Sequence, residues 1–303
     1  MLVTVDLPGP EVSELKLPAP SRLCPSQGPA HLGYFRVIAL LIVSLNVAVA
    51  KSNASVATQP NPIDDTQTLV TQHYLDFLNR EPDPEGLAFW MENINGCGED
   101  AACTEVKRID TSAAYFLSIE FQETGYLVHR FYRASFGRRP LFTEFLPDTQ
   151  AISSGVVVNR EGWAQLLESN KQSFADAWVA RASFTAIYAG LTNEQYVDRL
   201  IANTGVAFTE TDHDSLVDVL NTESMTREQV LRIVAENYDF YNAEYNTAFV
   251  EMEYFGYLRR DPDADGFNFW LAKLNEFRGD FRQAEMVKAF LVSGEYRQRF
   301  GPP

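Results

Sequence analysis

Apolar residues recur at helical spacing along most of the chain. The first clear run places apolar side chains three and four positions apart, at Leu69, Val70, Tyr74, Phe77 and Leu78. Such spacing puts one apolar stripe along a helix, whereas a half-buried strand would alternate apolar and polar residues. Only Val156–Val158 has a strand-like character. We therefore predict an all-α fold, a multi-helix globular body. Short polar residues that can cap a helix predict further helix starts at Thr192, at Thr211–Asp214 and at Thr226.

Two stretches of the chain share an unusual pattern. The sequence YLDFLNREPDPEGLAFW at Tyr74–Trp90 returns as YFGYLRRDPDADGFNFW at Tyr254–Trp270, and a second shared block closes each stretch. We call Tyr74–Phe121 the first motif segment and Tyr254–Tyr296 the second. Proline followed by aspartate, in the middle of each pattern, stops one helix and starts the next. The body is thus predicted to contain repeated helix-turn-helix units. A degenerate third copy starts at Tyr132, and it keeps the Tyr, Arg and Pro but has Leu141 where the others have Asp.

Five residue types recur in both motif segments and are the candidate site residues. They are Arg80, Asp83, Gly86, Trp90 and Glu120 in the first segment, and Arg260, Asp263, Gly266, Trp270 and Glu295 in the second. We predict that each Asp caps the second helix, that each Gly admits a neighbouring backbone, and that each Trp fills the core. Each Arg is predicted to pair with the Glu of the closing block or with the Asp.

Two ligand-binding interpretations compete with these structural roles. Asp261, Asp263 and Asp265, followed by Gly266, match the opening of an EF-hand calcium loop, but Ala272 stands where a bidentate Glu is required. Helix capping is therefore preferred to calcium binding. The many aromatic residues between about 237 and 258 are the type that stacks on sugar rings, yet their helical spacing predicts that most face the core.

The N-terminal part of the chain has the features of an export signal. A 14-residue apolar run, Val37–Ala50, follows Arg36 and ends in a small-x-small pattern, and it is shorter than a membrane span. We predict a leader at 1–50, a linker at 51–62, and helical regions at 63–125, 126–248 and 249–303. Localisation is then secreted or at the cell surface, where Cys97 and Cys103 are expected to form a local disulfide.

Charge and motif content restrict the function. The net charge of -16, from 25 Lys and Arg against 41 Asp and Glu, opposes binding to nucleic acid. His73, His129 and His213 occur singly, without a second ligand at zinc-site spacing. Phosphate-binding loops and the nucleophile elbow of hydrolases are also missing from the sequence. We predict a protein that is not an enzyme and has no cofactor.

The motif resembles a known family. Tyr74–Phe121 and Tyr254–Tyr296 are similar to the bacterial domain-of-unknown-function family 4214, and the chain's last residues are faintly similar to phycobilisome linker domains. The resemblance implies a helical fold and a cell-surface context. We expect a non-enzymatic module of cell-surface or extracellular assembly, with cell-surface proteins or glycans as partners. A carbohydrate-binding module is the first alternative, and a hydrolase with unrecognised acidic residues is the second.

Overall fold

The prediction of an all-α fold is confirmed by the computed structural model, which describes residues 60–302. The predicted leader at 1–50 and most of the linker at 51–62 lie outside the described residues. Val156–Val158, predicted to be strand-like, instead lies in the turn region after a helix, and no strand occurs within residues 60–302. Three β-branched residues without a pairing partner cannot form a sheet.

Helices follow one another through the described chain with short connections. Their bounds are α1 Thr66–His73, α2 Pro84–Asn95, α3 Ala101–Leu117, α4 Ile119–Glu123, α5 Gly125–Phe136, α6 Phe142–Ser153, α7 Trp163–Val179, α8 Ala182–Tyr188, α9 Asn193–Thr204, α10 Glu210–Asn221, α11 Arg227–Ala235, α12 Tyr238–Glu253, α13 Ala264–Glu276, α14 Met286–Leu291 and α15 Gly294–Gln298. A π-helical turn extends α1 over Tyr74–Leu78, and another extends α12 over Tyr254–Leu258. The predicted boundary at 248/249 falls inside α12.

Side-chain caps start the helices where the sequence contains a short polar residue. The hydroxyl of Thr192 accepts a hydrogen bond from the Gln195 backbone, and Thr226 opens α11. Both positions were predicted as helix starts. The cap of α10 is Thr209, two residues before the predicted start at Thr211, and its hydroxyl accepts from the Asp212 backbone.

The two motif segments meet through their π-helical turns. Phe77 packs edge-on against Tyr257, with ring centroids 5.2 Å apart. Gly256 lies beside the same phenylalanine, and a Cβ at this position would overlap the Phe77 ring. Arg299 fixes the second turn by donating to the carbonyl of Tyr257 at 2.7 Å and to Asp76 of the first turn at 2.9 Å. These contacts join both segments into one hydrophobic core.

The middle region contributes to the same core. Trp178 on α7 is fully buried, and its indole N–H donates to the Ser135 hydroxyl on α5 at 2.9 Å. The described residues belong to one compact unit. Within that part of the chain, no helix combines the length and the apolar character needed to cross a membrane.

The first and last described residues are held together. The buried side chain of Asn61 donates to the carbonyls of Arg297 and Pro302, at 3.1 and 2.8 Å. Arg297 in turn forms a bidentate pair with Asp64, with N–O distances of 2.7 and 2.8 Å. We call these contacts the end clasp.

Candidate functional site

The recurring Arg and Glu form the same bidentate pair in both motif segments. Arg80 donates through Nε and Nη2 to the two carboxylate oxygens of Glu120, at 2.7 and 2.8 Å. Arg260 does the same to Glu295, at 2.6 and 3.1 Å. Both partners had been named from the sequence. This planar geometry uses two charge-assisted hydrogen bonds and therefore fixes the orientation of both side chains.

The two pairs differ in their exposure to solvent. The side chains of Arg80 and Glu120 are 22% and 5% exposed, whereas those of Arg260 and Glu295 are 40% and 49% exposed. Water screens the second pair much more than the first, so equal distances do not mean equal contributions to stability.

The recurring Asp caps the second helix of each segment. Asp83 and Asp263 each accept a hydrogen bond from the backbone N–H three residues later, both at 2.8 Å. The hydrogen bond from Gly86 lowers the pKa of Asp83, and the one from Gly266 lowers the pKa of Asp263. The neighbouring Arg adds to both effects, since it favours the charged carboxylate.

The recurring Gly makes room for a side chain, which corrects the predicted approach of a backbone. A Cβ at Gly86 would overlap the hydroxyl of Tyr74, and one at Gly266 would overlap the hydroxyl of Tyr254. The same tyrosines lie under the motif arginines, with the guanidinium carbon of Arg80 4.8 Å from the Tyr74 ring centroid. The prediction was wrong because a sequence does not reveal where a tyrosine twelve positions earlier points.

The recurring Trp lies at the margin of the core instead of filling it. Trp90 and Trp270 are half-buried and pack against core residues. Each contacts the preceding phenylalanine edge-on, and these phenylalanines, Phe89 and Phe269, are 59% and 57% exposed. Both segments thus present a similar aromatic pair at the surface.

A small pocket lies beside the first motif segment. Its lining includes Tyr74, Arg80, Trp90 and Glu120, and its volume is about 170 Å³. Sites for small molecules usually measure about 300–1,000 Å³. The arginine and carboxylate in this pocket already bind each other, so the arrangement performs a structural task.

The degenerate third copy keeps the shape of the motif with different partners. Arg138 lies over Tyr132, 5.1 Å from its ring centroid, as Arg80 lies over Tyr74. Arg138 donates through Nη1 and Nη2 to the carboxylate oxygens of Glu144, at 2.7 and 2.8 Å. Glu144 occupies the position of the motif Gly. Tyr132 donates to Asp148 at 2.8 Å, and Asp148 occupies the position of the motif Trp.

The three calcium candidates do not converge. Asp261 accepts a hydrogen bond from the Phe142 backbone at 2.6 Å. Asp263 caps a helix by accepting a hydrogen bond from the Gly266 backbone. Among residues 60–302, no three His, Cys, Asp or Glu side chains are grouped as a metal site requires. The calcium interpretation, which includes Asp265, is therefore not supported by the donor geometry.

The predicted disulfide is confirmed. Cys97 and Cys103 are bonded, with their Cα atoms 5.6 Å apart. Cys103 lies on the first turn of α3, where Asp100 caps the helix by accepting from the Ala102 and Cys103 backbones at 3.0 Å. The bond therefore ties the end of α2 to the start of α3 in the first segment.

Sequence reasoning missed an ionisable residue directly before each motif tyrosine. His73 and Glu253 occupy corresponding positions and are 1% and 2% exposed. Burial lowers the pKa of His73 to about 3 and raises the pKa of Glu253 well above its usual range. His73 is consequently neutral at pH 7, and burial favours the neutral form of Glu253. Their shared position in the repeated pattern was the available signal.

His129 has a different environment on α5. It is buried between Glu244 and Glu251 of α12, at 2.9 and 2.7 Å, and the Glu251 carboxylate is the leading influence that raises its pKa against the cost of burial. The arrangement links α5 to α12 by charge.

Comparison with known proteins gives one match. The family "Domain of unknown function (DUF4214)" matches residues 234–300, which contain the second motif segment. No curated protein and no solved structure matches the chain.

Proposed function

We propose that the chain is a secreted, non-enzymatic helical module for cell-surface or extracellular assembly. We further propose that the first motif segment is a second copy of the unit matched at residues 234–300. The supporting observation is the shared network of Arg, Glu, Asp, Gly and Tyr, which has the same contacts in both segments.

The state of the motif residues favours a structural role over a catalytic one. In each segment the Arg and Glu neutralise each other and the Asp is used by a helix terminus. A catalytic pair of carboxylates would instead face a cleft with differently shifted pKa values. The disulfide between Cys97 and Cys103 fits an oxidising compartment.

An affinity experiment tests the assembly role. Residues 51–303 are immobilised and mixed with cell-envelope extract, with and without calcium, and bound proteins are identified. A specific protein partner that is retained without calcium is the expected result. A chain that recovers only polysaccharide would contradict the proposal.

Export can be tested separately. The full chain is expressed in a bacterium, and the protein outside the cytoplasm is collected and its N-terminus sequenced. Cleavage after Ala50, leaving Lys51 as the first residue, is expected. Full-length protein retained in the cytoplasm would contradict a secreted role.

Carbohydrate binding is the second candidate function, and one observation favours it. Phe89 with Trp90, and Phe269 with Trp270, form exposed aromatic pairs of the kind that can stack on sugar rings. A glycan array with wild-type protein and the double variant Phe89→Ala/Phe269→Ala tests this function. Glycans that bind the wild-type protein but not the double variant would favour carbohydrate binding over protein assembly.

A further inference from the structure

A cleft of about 490 Å³ lies between the turn that joins α5 to α6 and the loop that precedes α13. It shares no lining residue with the small pocket of the first motif segment, and its volume is within the range of small-molecule sites. The lining side chains used below are Arg133, Arg139, Leu141, Glu251, Asp261 and Phe267. Arg139 and Asp261 occupy corresponding positions of the third copy and the second motif segment.

Arg139 is the cation of this cleft that lacks a protein anion. Arg133 pairs with Glu244 at 3.1 Å and Arg138 with Glu144 at 2.7 Å. No carboxylate of residues 60–302 lies within ion-pair distance of Arg139, and its enclosed Nη1 has no acceptor there. Buried donors without acceptors are rare and costly, so this guanidinium is suited to an anionic ligand.

The guanidinium is also held in place before any ligand arrives. Its central carbon lies 3.5 Å from the centroid of the Phe267 ring, a stacked arrangement that restricts the side chain. Partial burial is the main influence that lowers the pKa of Arg139; the charge of Glu251 opposes it, and the nearby Arg133 acts in the same direction as burial.

The acidic side of the cleft can receive hydroxyl groups. Glu251 is engaged by His129 at 2.7 Å. Asp261 accepts the Phe142 N–H through Oδ1 at 2.6 Å, while Oδ2 has no partner among the described residues. The Leu141 side chain, which is 49% exposed, adds apolar surface to the lining. The cleft therefore offers a cation, a hydrogen-bond acceptor and apolar surface together.

We propose that this cleft binds a hydroxyl-bearing carboxylate of the uronic acid class. The ligand carboxylate pairs with Arg139, a ligand hydroxyl donates to Asp261, and the ring lies against the exposed Leu141 side chain. This site is separate from the exposed aromatic pairs, and it does not depend on the assembly role.

Isothermal titration of residues 51–303 tests the proposal with glucuronate, glucose and inorganic phosphate as probes. Glucuronate is expected to bind at one site, and its affinity is expected to fall with added salt. Glucose and phosphate are expected to bind much more weakly. Arg139→Gln is expected to reduce glucuronate affinity about 10- to 100-fold, the effect of losing hydrogen bonds to a charged group. Arg160→Gln is the matched control, because Arg160 is exposed and outside the cleft.

Asp261→Asn preserves the acceptor for the Phe142 N–H and is expected to reduce the affinity for glucuronate several-fold. Amide chemical-shift mapping on the wild-type chain needs no variant, and glucuronate should shift Phe142 and Phe267. The proposal is overturned if glucuronate does not bind, if phosphate or glucose binds equally well, if folded Arg139→Gln keeps full affinity, or if the shifts cluster elsewhere.

Discussion

The two motif segments have the same hydrogen bonds but place them in different surroundings. The Arg–Glu distances agree within a few tenths of an ångström, and both Asp caps measure 2.8 Å. Glu120 is nearly buried, whereas half of Glu295 is exposed. The first segment also carries the disulfide. The comparison teaches that a repeated sequence can reproduce geometry while the energy of each contact depends on its neighbours.

The largest difference is expected from removing the glutamate of each pair. Glu120→Gln leaves the partly buried Arg80 with the Asp83 carboxylate at 3.3 Å and the Glu81 carbonyl at 3.1 Å, and we expect it to lower the free energy of unfolding by about 3 kcal/mol. Glu295→Gln breaks a solvent-exposed pair and is expected to cost less than about 1 kcal/mol. Urea unfolding of both variants measures the two losses in the free energy of unfolding. Equal losses would show that burial does not determine how much each ion pair contributes to stability.

The disulfide is the next largest expected effect, and it belongs to the first segment alone. Replacing Cys97 and Cys103 by Ser opens a short loop, and chain entropy predicts a loss of about 2 kcal/mol. Differential scanning calorimetry measures the change, with reduced wild-type protein as the matched comparison. An unchanged melting temperature would mean that α2 and α3 hold the loop closed without the bond.

The glycines should respond alike in both segments. Gly86→Ala and Gly266→Ala each force a methyl group against a tyrosine hydroxyl, and each is expected to cost about 1.5 kcal/mol. Removing the hydroxyl with Tyr74→Phe should recover part of the cost of Gly86→Ala. A double-mutant cycle by urea unfolding measures this coupling, and strictly additive effects would contradict the proposed overlap.

The smallest effect concerns the helix caps and depends on pH. Asp83→Ala is expected to cost about 1 kcal/mol near pH 7, and Asp263→Ala should cost less because that carboxylate is more exposed. The folded-state pKa of Asp83 lies below its ordinary value of 3.8. The contribution is therefore complete above that value and is lost as the pH falls through the folded-state pKa. Unfolding titrations of wild type and variant should converge in acid.

The helices and the ion pairs were predictable because their signals are local or repeated. Apolar spacing marked the helices, and the recurrence of Arg80 with Glu120, and of Arg260 with Glu295, identified partners separated by 40 and 35 residues. The Thr192 and Thr226 starts followed from capping chemistry.

The remaining contacts depend on how helices far apart in the sequence pack together. Gly256 against Phe77, and Arg139 beside Asp261 in one cleft, join residues more than a hundred positions apart without a repeated signal that pairs them. The surface position of Trp90 also escaped prediction, since a large aromatic residue at helical spacing is ordinarily buried.

The end clasp has a mechanical consequence. Tension applied between residues 60 and 302 would act first on the hydrogen bonds of Asn61 and on the Asp64–Arg297 pair, before it reached the helical core. Because the two pulling points lie side by side, the folded module adds almost no length along a stretched chain. Once the clasp opens, residues 60 and 302 can separate and the stretched chain lengthens, so these few polar contacts are the first to break under load.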